Sequence, residues 1–149
     1  MNGVERFAIW GMLVCMFAPV AAASDQAPVS WHTNVQDAWK ATQQQGRPLL
    51  VFVTRNDCFY CTKMKDRTYN DLTVAGAIRG GFVPLVLDGA VSSQLLKELK
   101  VSVYPSTFVI SPQAVIMERI DGYVTADVLS SKLSALRPQL PVAKLVKDP

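Results

Sequence analysis

Residues 49–63 of the chain read Leu49-Leu50-Val51-Phe52-Val53-Thr54-Arg55-Asn56-Asp57-Cys58-Phe59-Tyr60-Cys61-Thr62-Lys63. The stretch opens with a continuous apolar run, which is typical of a central strand covered on both faces. The segment after Cys58 has a helical pattern. We therefore predict a strand over Leu49–Thr54 that runs into a helix from Cys58 to about Tyr69.

Cys58 and Cys61 are separated by two residues at the start of the predicted helix. Unpaired backbone N–H groups and the positive end of the helix dipole lie at that terminus. Both favour the thiolate of Cys58, which is the nucleophile in disulfide exchange. The second sulfur lies one turn further on, close enough to attack a mixed disulfide formed by the first. The pair predicts a dithiol/disulfide redox site.

A structural disulfide and a metal half-site are the alternatives for these two cysteines. A closed zinc site needs four ligands. The predicted mature chain offers Cys58, Cys61 and His32. A metal site would therefore need carboxylates or a second chain, and we predict no metal site.

Composition is consistent with one ordinary globular domain. The chain has 149 residues, of which 50% are hydrophobic, and a net charge of +3. A chain of this length suggests a single domain. Because its basic residues are scattered and form no block, the sequence gives no indication of nucleic-acid binding.

The N-terminus resembles a secretory signal peptide. Residues 7–17 are almost wholly apolar, Pro19 interrupts the run, and Ala21-Ala22-Ala23 supplies small residues for cleavage. We expect residues 1–23 to be removed and the protein to be periplasmic or secreted. An uncleaved membrane anchor remains open, because the apolar stretch reaches the lower limit of a spanning helix.

Cys15 lies within the predicted signal peptide. A lipid anchor at this cysteine is disfavoured, because Val14 precedes it where a lipoprotein signal has a small residue. Cleavage would leave only Cys58 and Cys61. A single pair without a leftover thiol suits an oxidising compartment.

The rest of the chain alternates between helix and strand patterns. A βαβ half followed by a ββα half predicts a mixed sheet with helices on both faces. Residues 24–30 form a short lead, residues 31–137 the domain, and residues 138–149 a tail without assignable structure. The further predicted elements are a helix from an N-cap at Thr33 to Gln45, with Gly46 as its stop, a helix over Leu72–Ile78 stopped by Gly80-Gly81, a strand over Phe82–Leu87 in which Pro84 removes a ladder donor, a helix from Ser92 or Ser93 to Lys100, a hairpin of Thr107–Ile110 and Ala114–Ile120, and a last helix capped by Thr125.

The order of elements and five local features resemble the thioredoxin fold, and within it the exported thioredoxin-like proteins. The resemblance covers residues 31–136, most of the predicted mature chain. The features are Trp31 to Trp39 in the first helical region, Arg47-Pro48 before the strand, Cys58-Phe59-Tyr60-Cys61, Tyr104-Pro105-Ser106-Thr107, and Asp121-Gly122-Tyr123.

The resemblance implies a role for each cysteine and for the proline loop. Cys58 would attack and Cys61 would resolve. Pro105 would be a cis-proline lying against the disulfide, and only about one X–Pro bond in twenty is cis in folded proteins. The backbone of Tyr104 would then pair with an extended substrate segment, and Gly122 would let backbone approach on the same rim.

Two departures from thioredoxin concern the surroundings of the cysteines. Thioredoxin has a tryptophan before the first cysteine and Gly-Pro between the pair, whereas this chain has Asp57 and Phe59-Tyr60. We expect Phe59 and Tyr60 to shape the substrate surface. Thioredoxin also has a buried carboxylate where Phe52 stands, and that carboxylate helps to take the proton from the resolving thiol. The proton acceptor for Cys61 is therefore open, with Asp57 or water as candidates.

The resulting hypothesis is an exported thiol–disulfide oxidoreductase that acts on protein disulfides and needs no external cofactor. The resemblance favours the reductase direction over the oxidase direction, which implies an electron donor in the membrane. We expect a monomer. A binding module with a purely structural disulfide is the alternative, and metal or cluster binding between two chains through Cys58 and Cys61 is a third.

Overall fold

The computed structural model describes residues 27–136, where one four-stranded sheet lies among α-helices and one π-helical segment. The predicted signal peptide and the tail after Pro138 lie outside the described residues. The elements are α1 Val35–Gln45, β1 Leu49–Thr54, α2 Phe59–Lys63, the π-helical segment Met64–Tyr69, α3 Leu72–Gly81, β2 Val83–Asp88, α4 Ser93–Glu98, β3 Ser106–Ile110, β4 Ile116–Asp121 and α5 Ala126–Leu136.

The strands lie in the order β2-β1-β3-β4, so β1 is central. It pairs in parallel with β2 and antiparallel with β3, and β3 forms an antiparallel hairpin with β4. This is the mixed sheet that the sequence predicted. The C-terminal end of β1 delivers the chain to the two cysteines.

Both faces of β1 are buried, as its apolar run predicted. Leu50 and Phe52 face a core cluster that includes residues of α3 and α5. Leu49, Val51 and Val53 face a second cluster, which includes residues of α1 and α4. Each buried side chain of this kind contributes about 1.5–3 kcal/mol on transfer from water, so β1 anchors both layers.

Pro84 lies inside β2 because β2 is the outer strand of the sheet. Two residues further on, the N–H of Val86 points away from β1 and donates to the backbone oxygen of His32 at 2.9 Å. Since alternate residues of a strand point the same way, Pro84 places its donor-less nitrogen on that outer side. No ladder bond to β1 is lost.

Several predicted element boundaries are wrong. The N-cap of α1 is Asn34 and not Thr33. The backbone of Asn34 is extended, and its side-chain oxygen accepts from the Asp37 N–H at 3.1 Å. Gly46 does end this helix in the left-handed conformation, as predicted. The helix α3 does not stop before its two glycines but runs to Gly81, which is buried, and Phe82 N–H still donates to Ile78.

The remaining differences are smaller. The predicted helix to Tyr69 exists, but from Met64 onwards its turns are π-helical. The helix α4 ends at Glu98 because Lys100 takes a positive φ of 52°. The strands β2, β3 and β4 begin within one or two residues of the predicted positions. In the described part of the chain, no helix combines the length and apolarity needed to cross a membrane.

Candidate active site

Cys58 and Cys61 form a disulfide at the start of α2, with their Cα atoms 5.2 Å apart. Asp57 turns the chain out of β1 with a φ of 56°. Cys58 then takes the N-cap position, where its sulfur accepts from the Cys61 N–H at 3.2 Å. One backbone donor at this terminus therefore points at the first sulfur, which lies at a helix N-terminus as the sequence predicted.

The two cysteines differ in exposure. Cys61 is 3% exposed and belongs to the core, whereas Cys58 is half-buried at its edge. An incoming disulfide can therefore reach the sulfur of Cys58 more readily than that of Cys61. This asymmetry is what an attacking and a resolving thiol require.

The loop before β3 contains a cis peptide bond between Tyr104 and Pro105. The backbone oxygen of the buried Pro105 accepts from the Gly122 N–H at 2.8 Å. Gly122 has a φ of 88°, a backbone conformation that is strained for any residue with a side chain. The Tyr104 ring packs so closely on Gly89 that an added Cβ there would lie 2.8 Å from the phenol oxygen. The loop is thus held from both sides.

A groove of about 370 Å³ lies between this loop and α2, and we call it the rim groove. The Tyr60 and Tyr123 rings form part of its wall, with centroids 6.0 Å apart. Phe59, in contrast, lies outside the lining and is 73% exposed, with its ring 5.3 Å from that of Tyr60. The rim groove is lined by Tyr60, Val103, Tyr104, Gly122 and Tyr123.

Of the predicted substrate residues, Tyr60 and Tyr104 both line the rim groove, and Pro105, which follows Tyr104, is buried. It does not bring Phe59 into the groove. Val103 and Tyr123 were missed as groove residues. The signal that could have found them is their position, since each is adjacent to a predicted rim residue, Tyr104 or Gly122.

A second hollow, which we call the inner cavity, lies beside Cys61 and has a volume of about 470 Å³. Three aromatic rings pack there. The Phe52 ring is 4.8 Å from Tyr69, and the Trp31 ring is 4.9 Å from Tyr69 and 6.0 Å from Phe52. Phe52 is 3% exposed. The position that holds a carboxylate in thioredoxin is therefore filled by an apolar ring.

Tyr69 is the buried titratable group of this cavity. Its phenol shares a hydrogen bond of 2.7 Å with the Thr107 hydroxyl on β3. Burial raises the pKa of Tyr69 well above its usual value, and the bond to Thr107 offsets only part of that shift. The phenol is neutral at physiological pH and cannot serve as the base for Cys61. The carboxylates among the residues that line the cavity are Asp57 and Asp66.

The described part of the chain shows no cluster of residues that could hold a metal ion. Within residues 27–136, no three His, Cys, Asp or Glu side chains are grouped as a metal site would require. The cysteine pair itself is joined as a disulfide.

A mixed sheet with β1 at its centre, an accessible first sulfur and a buried second sulfur define a thioredoxin-type protein with a disulfide-forming cysteine pair. A family model for the thioredoxin-like domain matches residues 35–137, and the chain belongs to that family. Among curated protein sequences, none matches the chain.

Solved structures with the same fold include thioredoxins and Dsb proteins. A thioredoxin from Thermus thermophilus is 19% identical with a TM-score of 0.68, covering 74% of this chain and 88% of its own. The oxidised C-terminal domain of DsbD from Neisseria meningitidis is 19% identical with a TM-score of 0.61, and the match covers 71% of this chain and 98% of that domain. A DsbH oxidoreductase is 22% identical with a TM-score of 0.61, and the match covers 85% of this chain and 94% of the DsbH chain. At these identities the likeness establishes the fold, and the fold with its Cys-x-x-Cys pair supports thiol–disulfide oxidoreductase chemistry in general.

Proposed function

We propose that the chain is an exported thiol–disulfide oxidoreductase that reduces disulfides of protein substrates. The observation that carries this proposal is the Cys58–Cys61 disulfide at the start of α2, with one sulfur accessible and the other buried. The export component is supported by the apolar residues 7–17 and the small residues before Ser24.

The reaction transfers two electrons from the protein to the substrate. The Cys58 thiolate attacks a substrate sulfur, the substrate S–S bond breaks, and one substrate thiolate leaves. Cys61 then loses its proton and attacks the Cys58 sulfur, so that the Cys58–Cys61 bond forms and the second substrate thiolate leaves. A dithiol donor, which we place at the membrane, reduces the pair again and is itself oxidised to a disulfide.

Trapping the intermediate tests this chemistry. In a Cys61→Ser variant the second step cannot occur, so a covalent mixed disulfide with the substrate should accumulate and disappear on treatment with dithiothreitol. Cys58→Ser is the matched control and should trap nothing. If Cys61→Ser also traps nothing and the wild type shows no reductase activity, the enzyme proposal fails. Partner binding by both variants would then support a binding module with a structural disulfide.

The direction of electron flow depends on the reduction potential of the pair. We expect a value near that of thioredoxin, about −270 mV, after equilibration with glutathione buffers. A value near about −120 mV would instead define a disulfide donor and overturn the reductase direction. Metal analysis of anaerobically purified protein tests the remaining alternative, a metal or cluster shared by two chains through Cys58 and Cys61.

A further inference from the structure

The rim groove has apolar aromatic walls, one of which is Tyr60, a residue between the two cysteines in the sequence. Tyr60 is 54% exposed and Val103 is 42% exposed, so both present apolar surface to an incoming chain. Cys58, Tyr104 and Tyr123 all pack against the same core cluster, so the attacking cysteine and two of the groove tyrosines share one support. An apolar side chain next to a substrate cysteine would cover this surface and gain free energy by leaving water.

Two cations lie on the tyrosines that form the groove walls. The Lys63 ammonium is 4.6 Å from the centroid of the Tyr123 ring, and the Arg55 guanidinium is 5.0 Å from that of Tyr104. A cation over a ring face is attracted by the ring quadrupole, which holds the charge at the groove. Within residues 27–136 no ion pair of Lys63 or Arg55 occurs, and both residues are exposed.

The acidic residues near the groove do not cancel these two charges. Asp121 is already paired, since Arg119 donates to it at 3.0 Å and the Ser106 hydroxyl donates to it at 3.2 Å. Asp57 and Arg55 both line the inner cavity and neither lines the rim groove itself, but the Arg55 guanidinium reaches the groove wall through its contact with the Tyr104 ring. The rim groove is therefore an apolar slot with positive charge at its walls.

We propose that the rim groove selects protein segments in which the reacting cysteine is flanked by a large apolar or aromatic residue and an acidic residue. The apolar side chain lies against Tyr60 and Val103, and the carboxylate lies near Lys63 and Arg55. This proposal rests on the proposed function and names its substrate class. The exchange step is the one given above, with the electrons supplied by the reduced Cys58–Cys61 pair.

Four short peptides test the proposal, each carrying one cysteine as a mixed disulfide with 2-mercaptoethanol. They combine Phe or Ala on one side of the cysteine with Asp or Lys on the other. The reduced wild-type protein is mixed with each peptide, and the rate of disulfide exchange is measured. That rate is divided by the rate at which dithiothreitol reduces the same peptide. This division removes differences in the intrinsic reactivity of the peptide disulfides.

The Phe/Asp peptide should react fastest. We expect the Asp peptides to exceed the Lys peptides by about two- to tenfold at low salt, since exposed charge pairs are individually weak and screened by salt. Lys63→Gln and Arg55→Gln should each lower this ratio. Lys40→Gln is the matched control, because it removes an exposed positive charge from α1, and the ratio should persist in that variant. Tyr60→Ser should lower the Phe-to-Ala ratio instead.

The outcomes separate this proposal from the proposed function. Equal normalised rates for all four peptides would overturn the specificity and leave the oxidoreductase proposal standing. A loss of rate in Lys63→Gln that is the same for every peptide would also overturn it, because the charge would then act on the sulfur and not on the substrate. Failure of the wild-type protein to react with any peptide would contradict the proposed function itself.

Discussion

Aromatic side chains lie on both sides of the disulfide, but the two groups are in opposite environments. On the inner side, Phe52 and Tyr69 are 3% and 1% exposed and their rings are 4.8 Å apart. On the outer side, Phe59 and Tyr60 are 73% and 54% exposed with their rings 5.3 Å apart. One ring pair thus lies in the core together with Cys61, and the other is exposed between the two cysteines in the sequence. The inner pair contributes to stability, whereas the outer pair is available to a partner.

Matched substitutions at Phe52 and Phe59 give the largest expected difference between the two sides. Phe52→Asp should lower the free energy of unfolding by more than about 3 kcal/mol, because it removes a buried ring and places a carboxylate against Tyr69 and Trp31. Phe59→Asp should change it by less than about 0.5 kcal/mol, since the ring is mostly in solvent. Urea denaturation of the oxidised proteins measures both values. Similar losses in the two variants would show that the inner side is not the more tightly packed one.

The same substitution also concerns the proton of Cys61. A carboxylate at position 52 would restore the residue type of thioredoxin, but it would lie among the Trp31 and Tyr69 rings, and the Tyr69 phenol is already bonded to Thr107. In this chain the inner side is built for an apolar residue, and the carboxylates of the cavity lie elsewhere, at Asp57 and Asp66.

Removing a phenol oxygen on each side has a smaller expected effect. Tyr69→Phe should cost about 1–2 kcal/mol, because the Thr107 hydroxyl is 1% exposed and would be left without its phenol partner. Tyr60→Phe should leave the free energy of unfolding within about 0.5 kcal/mol of wild type. Thermal or urea unfolding compares the two variants. A loss in Tyr60→Phe as large as that in Tyr69→Phe would contradict the assignment of the inner pair to stability.

The outer side could be largely predicted from the sequence, because its signals are local. The spacing of Cys58 and Cys61 after an apolar run and the resemblance at Tyr104-Pro105 indicate where the rim lies. Tyr60 is next to a cysteine, so its exposure follows from the turn of the helix. The exception is Phe59, which lies outside the groove lining, since neighbouring residues on a helix are rotated by about 100° from each other.

The burial of Phe52 on the inner side followed from the apolar run of β1, but the rest of that side could not be predicted, because it depends on contacts between distant residues. Tyr69 was expected only as the end of a helix, yet its phenol meets Thr107 on another strand. The π-helical turns from Met64 onwards alter which residues of this segment face the core, and the α-helical period used for the sequence does not describe them. The Asn34 cap was missed for a different reason, since Thr33 and Asn34 are both good capping residues.

The buried phenol also predicts a dependence of stability on alkaline pH. Burial raises the pKa of Tyr69 in the folded state, so the unfolded chain ionises this residue first as the pH rises. Its contribution is fully present below the ordinary tyrosine pKa of about 10 and is lost progressively above it, at a limiting slope of about 1.4 kcal/mol per pH unit. About half a unit above that value, the expected loss is about 0.8 kcal/mol.

The difference in unfolding free energy between wild type and Tyr69→Phe isolates this loss from other groups that titrate in the same range. The difference should shrink between about pH 9 and 10.5, because only the wild type has the buried phenol to ionise. Phe59→Leu changes no titratable group, so its difference from wild type should stay constant over the same range. A constant difference for Tyr69→Phe as well would mean that the inner phenol is reached by water, and the contrast between the two sides of the disulfide would then rest on Phe52 alone.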